Sequence, residues 1–307
     1  MNDFIDMLYI EYTKKCNSKC ITCDYWHNKE EEIIVSNQEI INLIKELKDL
    51  KIILFTGGEA LLKAKELFPL VKRIKEEFPK IELRLLTNGV LVNKYLDDIV
   101  KYFDTIVYSF DACNKEIYQK IRGIDAFDIV VDSIRNIKKN NLNIRLRCMV
   151  LADNYKYLDK IIELSKDLGV NQISFIPVDT ESTIGFERKN KKTSIKNNID
   201  IEELETIINK ILNNREIMNS NILTENGNNL RNAIKFYRNK IDFKECNSPA
   251  SSIVLEMNGN LKTCFFTNPI SNIHNNDIKR ILSSKNFLDI RNKAKCRKLK
   301  ECKKCVL

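Results

Sequence analysis

The chain has 307 residues, 43% of them hydrophobic and 30% charged, and a formal net charge of +9. That length and balance describe a globular protein with one large domain or two unequal ones, and no apolar run approaches the about 18 residues that a membrane span needs. Met1 to Asp6 carries two acids and no basic segment, so no secretory signal is expected and the chain is expected to be cytoplasmic.

Over the first 180 residues, short β-branched runs alternate with longer amphipathic stretches. Strands are predicted over Leu8–Glu11, Ile52–Phe55, Ile81–Leu86, Thr105–Phe110, Asn143–Val150 and Gln172–Ile176. Helices are predicted over Asn37–Lys48, Leu62–Glu77, Ile129–Lys139 and Tyr155–Leu168, the first opened by a capping box of Ser36 and Glu39. Strands separated by helices predict a parallel sheet with right-handed crossovers. Six such units predict an α/β fold, a partial (β/α)6 TIM-like barrel whose chemistry gathers at the C-terminal ends of its strands.

After Pro177 the pattern breaks. Glu187 to Asn198 is rich in Lys and Asn and reads as a linker, and helical stretches follow at Ile201–Leu212 and Asn228–Arg238. Ser252–Met257 and Asn260–Phe265 flank Asn258-Gly259, a strong hairpin signal. The expected domains are a barrel over 1–180, a linker with helices over 181–242, and a small C-terminal cysteine-rich domain over 243–307.

Ten cysteines in a reducing compartment point to metal ligation or catalysis rather than to disulfides. Three lie between Cys16 and Cys23, five lie from Cys246 onward, and only Cys113 and Cys148 lie between. Cys148 alternates with Leu146 and Val150 as a core residue would; a hydrogen-donor role is the other reading for it and for Cys113. Arg147 has the opposite parity and is available to a substrate carboxylate or hydroxyl, or to a neighbouring acid. Ser271 to Leu307 holds eleven Lys or Arg against three Asp or Glu. Such a tail either meets an anionic partner or offsets thiolate charge. Two histidines leave little room for His-based acid–base chemistry, and no P-loop, G-x-G-x-x-G or G-x-S-x-G motif is present.

Cys16, Cys20 and Cys23 have the spacing C-x3-C-x2-C directly after the first strand. Three thiolates on a four-iron cube leave one iron open to a ligand, the logic that also keeps catalytic zinc sites open. A zinc knuckle would have to recruit His27, and a Cys20-x-x-Cys23 redox pair leaves Cys16 unexplained. At the other end, Cys246, Cys264, Cys296, Cys302 and Cys305 form a second constellation, in which four clustered thiolates would serve either an iron–sulfur cluster or structural zinc.

The front motif resembles the signature of the radical S-adenosylmethionine (radical SAM) family. Further marks follow in order: Gly57-Gly58-Glu59 after the second strand, Thr87-Asn88-Gly89 after the third, Ser109 and Asp111 after the fourth, and Asn154 after the fifth. Two positions depart from the family pattern. Thr22 stands where an aromatic usually precedes the third cysteine, leaving Tyr25 or Trp26 to meet adenine, and Ala60 stands where Pro usually follows the Gly-Gly-Glu.

The resemblance implies a SAM-binding [4Fe–4S] cluster on Cys16, Cys20 and Cys23, with SAM also met by Gly57, Gly58, Glu59, Asn88, Ser109, Asp111 and Tyr25. The C-terminal cysteines resemble the twitch form of the SPASM domain, which implies one auxiliary [4Fe–4S] cluster on Cys246, Cys264, Cys302 and Cys305. Cys296 is then the spare, although Cys296-x5-Cys302 echoes part of the SPASM spacing and would let it displace one of the four. The implied chemistry is reductive cleavage of SAM and abstraction of a substrate hydrogen atom, with electrons from a reductase or flavodoxin-type donor. The expected substrate is a small sugar- or aminocyclitol-like metabolite, and the alternative is a ribosomally made peptide. From another class, the chain would be a zinc protein that binds nucleic acid; the radical reading expects neither nucleic acid nor membrane as a partner.

Overall fold

In the computed structural model, residues 4–27, 35–178, 198–240, 245–246, 248–274 and 276–305 are described. The predicted strands form as β1 (Met7–Thr13), β2 (Ile52–Gly57), β3 (Glu82–Thr87), β4 (Thr105–Ser109), β5 (Asn143–Val150) and β6 (Gln172–Pro177). They lie in chain order, each parallel to the next. The helices α1 (Asn37–Glu46), α2 (Ala64–Glu77), α3 (Leu96–Tyr102), α4 (Lys115–Arg122), α5 (Phe127–Lys139) and α6 (Leu158–Asp167) connect them. The capping box closes as expected, with the Ser36 hydroxyl accepting from the Glu39 amide and the Glu39 carboxylate accepting from the Ser36 amide.

Periodicity did not announce α3 and α4, because seven and eight residues hold too few apolar repeats to stand out. The boundaries of α4 come from local chemistry. Asn114 caps α4 through the Ile117 amide, and Gly123, at φ 68°, ends it in the left-handed conformation.

Period-two alternation assigns the two faces of the sheet. On β3 and β5, Leu83, Leu85, Ile144, Leu146, Cys148 and Val150 are buried against the helical layer, in one core with Leu67, Leu70, Val71 and Ile74 of α2. The intervening residues are half-buried on the inner face of the curved sheet. Tyr237, on the helix Asn228–Tyr237, bridges the C-terminal ends of β5 and β6: its hydroxyl donates to the Val150 carbonyl at 2.7 Å and accepts from the Val178 amide at 3.2 Å.

The Asn258-Gly259 hairpin forms between β7 (Ser252–Leu255) and β8 (Asn260–Lys262), and β9 (Ser271–Asn272) follows. Tertiary pairing adds what local signals did not show. β7 lies parallel to β1, so among the described residues the sheet has nine strands in the order β6-β5-β4-β3-β2-β1-β7-β8-β9 and the hairpin continues the barrel sheet. The linker expected at Glu187–Asn198 falls, over residues 187–197, outside the described residues.

Ile253 is fully buried at the β1–β7 seam. The substitution Ile253→Ala is expected to cost about 2–5 kcal/mol, read as a lower urea midpoint at unchanged slope.

Candidate active site

The loop carrying Cys16, Cys20 and Cys23 leaves the end of β1 and is fastened on two sides. On the first, the Gly58 amide donates to the Thr13 carbonyl at 2.6 Å and the Glu59 amide to the Lys15 carbonyl at 2.8 Å. A Cβ on Gly57 would lie 2.2 Å from the Thr13 carbonyl oxygen, and one on Gly58 2.2 Å from that of Lys15. Only glycines let the two backbones approach this closely. On the second side, the Lys19 and Ile21 amides donate to the carbonyls of Arg122 and Ile121, each at 3.0 Å, so the C-terminus of α4 carries the middle of the loop.

Polar side chains then reach the thiols. Asn88, after β3, donates to the Cys16 sulfur at 3.8 Å and to Asn17 Oδ1 at 2.7 Å. Arg122 donates to the Cys20 sulfur at 3.7 Å, and the Ser18 amide donates to the Cys16 sulfur at 3.4 Å. Burial nevertheless pushes the Cys16 thiol up to about 11. A metal ion bound there would supply the positive charge that makes the thiolate the favoured form.

Glu59 is fully buried beside this loop and collects donors. The amides of Asn88 (2.8 Å) and Leu61 (3.2 Å) and the Thr87 hydroxyl (3.0 Å) all donate to its carboxylate. Those bonds favour the charged form, but burial outweighs them and raises the carboxyl to about 7. Glu59 thereby locks the turns after β2 and β3 together. Asp111 is equally enclosed: it pairs with Arg122 at 2.6 Å and accepts from the Met149 amide at 2.7 Å. Asn154 donates to the carbonyls of Asp111 (2.8 Å) and Met149 (2.7 Å) and accepts from the Leu151 amide (2.8 Å), which ties the loops after β4 and β5.

Ser109 is half-buried on the inner face, opposite Arg147 of β5. Tyr25 lies inside the fold, its hydroxyl donating to Glu11 at 2.6 Å, while the Trp26 indole donates to the Cys20 carbonyl at 3.3 Å. Arg122 and Glu11 were not singled out from the sequence. The only local sign of Arg122 was the glycine after it, which ends α4 against the cysteine loop. The surface hollows beside α2 and α3, and between Tyr12 and Lys63, contain none of these groups.

At the other end of the chain, Cys246, Cys302 and Cys305 all act electrostatically on Cys264, whose thiol is pushed up to about 12, mainly by burial. Cys246 also acts on Cys302. Arg297 draws the terminal turn together by donating to the carbonyls of Cys302 and Cys305 at 2.8 and 2.6 Å. Cys296 is exposed, at the C-terminus of the helix Lys285–Lys295. No three His, Cys, Asp or Glu side chains close on a single-ion site among the described residues. In a cube each thiolate takes its own iron, so its ligands stand at separate corners. An all-thiol donor set suits such a cluster.

Comparison with known proteins agrees with this layout. Residues 10–165 match the family model described as "Radical SAM superfamily", and residues 246–306 match that of an "Iron-sulfur cluster-binding domain". A "Probable GTP 3',8-cyclase" of Saccharolobus islandicus (strain Y.N.15.51 / Yellowstone #2) is 29% identical over 276 residues, covering 85% of this chain and 83% of its own. Among solved structures, Streptococcus suis SuiB bound to precursor peptide SuiA superposes with a TM-score of 0.71 at 18% identity, covering 94% of this chain and 67% of that one. Native anSMEcpe with bound AdoMet and Cp18Cys peptide gives 0.69 at 19%, covering 98% and 86%. These structural likenesses establish the shared fold.

Two substitutions probe the loop's anchorage. Gly58→Ala forces a Cβ into the Lys15 carbonyl and is expected to cost about 1–3 kcal/mol by urea melt, together with iron retained after reconstitution. Glu59, with its carboxyl raised, holds a proton in the folded chain that the unfolded chain releases, so its contribution to stability falls as pH rises from about 4.5 to about 7. Glu59→Gln should therefore flatten the stability–pH curve across that window, in melts followed between pH 4 and pH 8.

Proposed function

The chain belongs to the radical SAM superfamily, and from that premise we propose that it cleaves SAM reductively and removes a hydrogen atom from a small polar metabolite seated on the inner face of the barrel. The family carries a SAM-binding [4Fe–4S] cluster and the C-terminal match an auxiliary cluster. When bound, the first cluster and SAM supply a 5′-deoxyadenosyl radical able to attack an unactivated carbon.

The observation that carries this reading is the convergence on the front thiols: Asn88 on Cys16 and Arg122 on Cys20, at the C-terminal ends of parallel strands. Cys16, Cys20 and Cys23 would hold the cluster. Gly57 and Gly58, with no side chains in the way, leave backbone groups open to the methionine end of SAM, and buried Glu59 keeps that turn in place. Ser109 would face cofactor and substrate from the inner surface, and Tyr25 would shape the loop next to adenine. Asp111 and Asn154 would act through position, holding Arg122 and the β5 loop. Cys246, Cys264, Cys302 and Cys305 would hold the auxiliary cluster, which takes an electron from the substrate and makes the net change an oxidation. A reductase or flavodoxin-type protein would deliver electrons to the first cluster.

The size of the substrate is argued from the inner face, where Tyr9, Arg84, Arg145, Arg147 and Ser174 are half-buried. Polar groups spaced within a barrel suit a small hydrophilic molecule with several hydrogen-bonding atoms. The name of the archaeal relative, that of an enzyme acting on a nucleotide, points the same way.

Anaerobic reconstitution is expected to load about eight irons per chain, four for each of two clusters, and dithionite with SAM should then yield 5′-deoxyadenosine. Alanine at Cys16, Cys20 or Cys23 should abolish the nucleoside. Alanine at Cys246, Cys264, Cys302 or Cys305 should bring iron to about four per chain, while Cys296→Ala should leave it unchanged. A colourless zinc-loaded protein that leaves SAM intact would overturn the assignment.

A further inference from the structure

Cluster chemistry leaves unused a set of cations on the inside of the sheet. The alternation that sends Leu83, Leu85, Ile144, Leu146 and Cys148 into the helical layer sends Arg84, Arg145 and Arg147 to the inner face. Three guanidiniums on one concave surface repel one another and must be answered by anions.

Arg84 is answered. Its Nε and Nη2 both donate to the Glu82 carboxylate at 2.7 Å, in the fork geometry of a bidentate pair. Arg145 is answered only in part: Glu82 acts on it from a distance, Arg84 opposes it, and its Nε is buried with no hydrogen-bond partner among the described residues. Arg147 is not answered by any carboxylate among the described residues. The ionisable group that acts on it is Tyr9 of β1, whose phenol burial keeps protonated and therefore uncharged. On either side of Arg147, in register, stand Ser109 of β4 and Ser174 of β6, both half-buried.

A guanidinium does not give up its proton in a protein, so burial leaves a fixed positive charge rather than a neutral group. Holding that charge away from water without a partner costs free energy, and a ligand oxyanion relieves the cost. We infer that Arg147, flanked by Ser109 and Ser174 and followed by Arg145 about 7 Å deeper on the same strand, receives an oxyanion group of the substrate, a phosphate or a carboxylate. The substrate is thus an anionic metabolite, gripped at its charged end inside the barrel, with the carbon to be attacked held toward the cysteine loop. Arginine suits this role because its planar fork meets either oxyanion with two parallel hydrogen bonds. The inference names the substrate class of the reaction proposed above and rests on that reading.

The test uses anaerobically reconstituted holoenzyme with SAM bound, titrated with inorganic phosphate in one arm and succinate in the other, with thermal melting and calorimetry as readouts. Wild type should show a saturable rise in melting temperature in at least one arm, and the responding arm identifies the oxyanion. Arg147→Gln should weaken that affinity at least tenfold. Arg147→Lys should keep part of it, Arg145→Gln should weaken it less, and Lys298→Gln, on the exposed tail, should match wild type. If Arg147→Gln does not fold, by circular dichroism, the Lys variant and Arg145→Gln carry the comparison. No saturable response in either arm overturns the inference. So does an unchanged response in Arg147→Gln, or a tenfold loss of SAM affinity there with the anion response intact, since the guanidinium would then serve the cofactor. Failure of the parent reading is seen separately, as absence of 5′-deoxyadenosine from wild type.

Discussion

The candidate site depends on a close approach of two backbones, the start of the cysteine loop and the turn after β2. Gly57 and Gly58 have no side chain to separate them, and the amides of Gly58 and Glu59 hydrogen-bond to the loop's carbonyls. That contact sets where Cys16 begins. The end of α4 then fixes where the loop continues, through the Arg122 and Ile121 carbonyls and the close packing of Gly123 on Lys19. A loop held on both flanks keeps its thiols in place, which would lower the ordering cost of binding a metal centre.

Around that frame lie buried carboxyl groups, and each is enclosed by specific partners. Glu59 takes four hydrogen bonds from three residues, Asp111 takes Arg122 and the Met149 amide, and Glu11 takes the Tyr25 hydroxyl. These networks lie at the C-terminal end of the strands and bind neighbouring loops to one another, so none of the loops is positioned alone. The thiols have the opposite character. Burial favours the protonated form of Cys16 and Cys264, and a bound metal centre would supply the charge that releases their protons.

The C-terminal segment is joined to the same frame by pairing rather than by proximity alone. β7 hydrogen-bonds alongside β1, the strand that leads into Cys16, and the hairpin it begins runs on toward Cys264. A buried Lys262–Glu256 pair at 2.7 Å spans that hairpin, and Phe265 packs edge-on against Tyr9 of β1 with ring centroids 5.1 Å apart. The front cysteines follow β1 and Cys264 follows β8, two strands away in the same sheet.

The six barrel strands and the helices α1, α2, α5 and α6 were legible in the sequence because apolar period is a local property. The strands ended within two residues of the predicted runs, and α6 within three, since a 3-10 turn at Tyr155–Tyr157 precedes it. Cysteine spacing and the ordered Gly-Gly-Glu, Asn-Gly and Ser-x-Asp marks were equally local, and they were enough to indicate the family and its cofactors. Pairing between distant segments was not legible. Nothing in Ser252–Leu255 says that it will lie beside Met7–Thr13, because any strand offers the same backbone donors and acceptors. Nor could Arg122 be seen approaching Cys20, or Arg147 standing without a carboxylate among the described residues, since both depend on which strands and helix ends become neighbours. Residue type and spacing decided which chemistry this chain carries; the close packing of backbones far apart in sequence decided which side chains surround it.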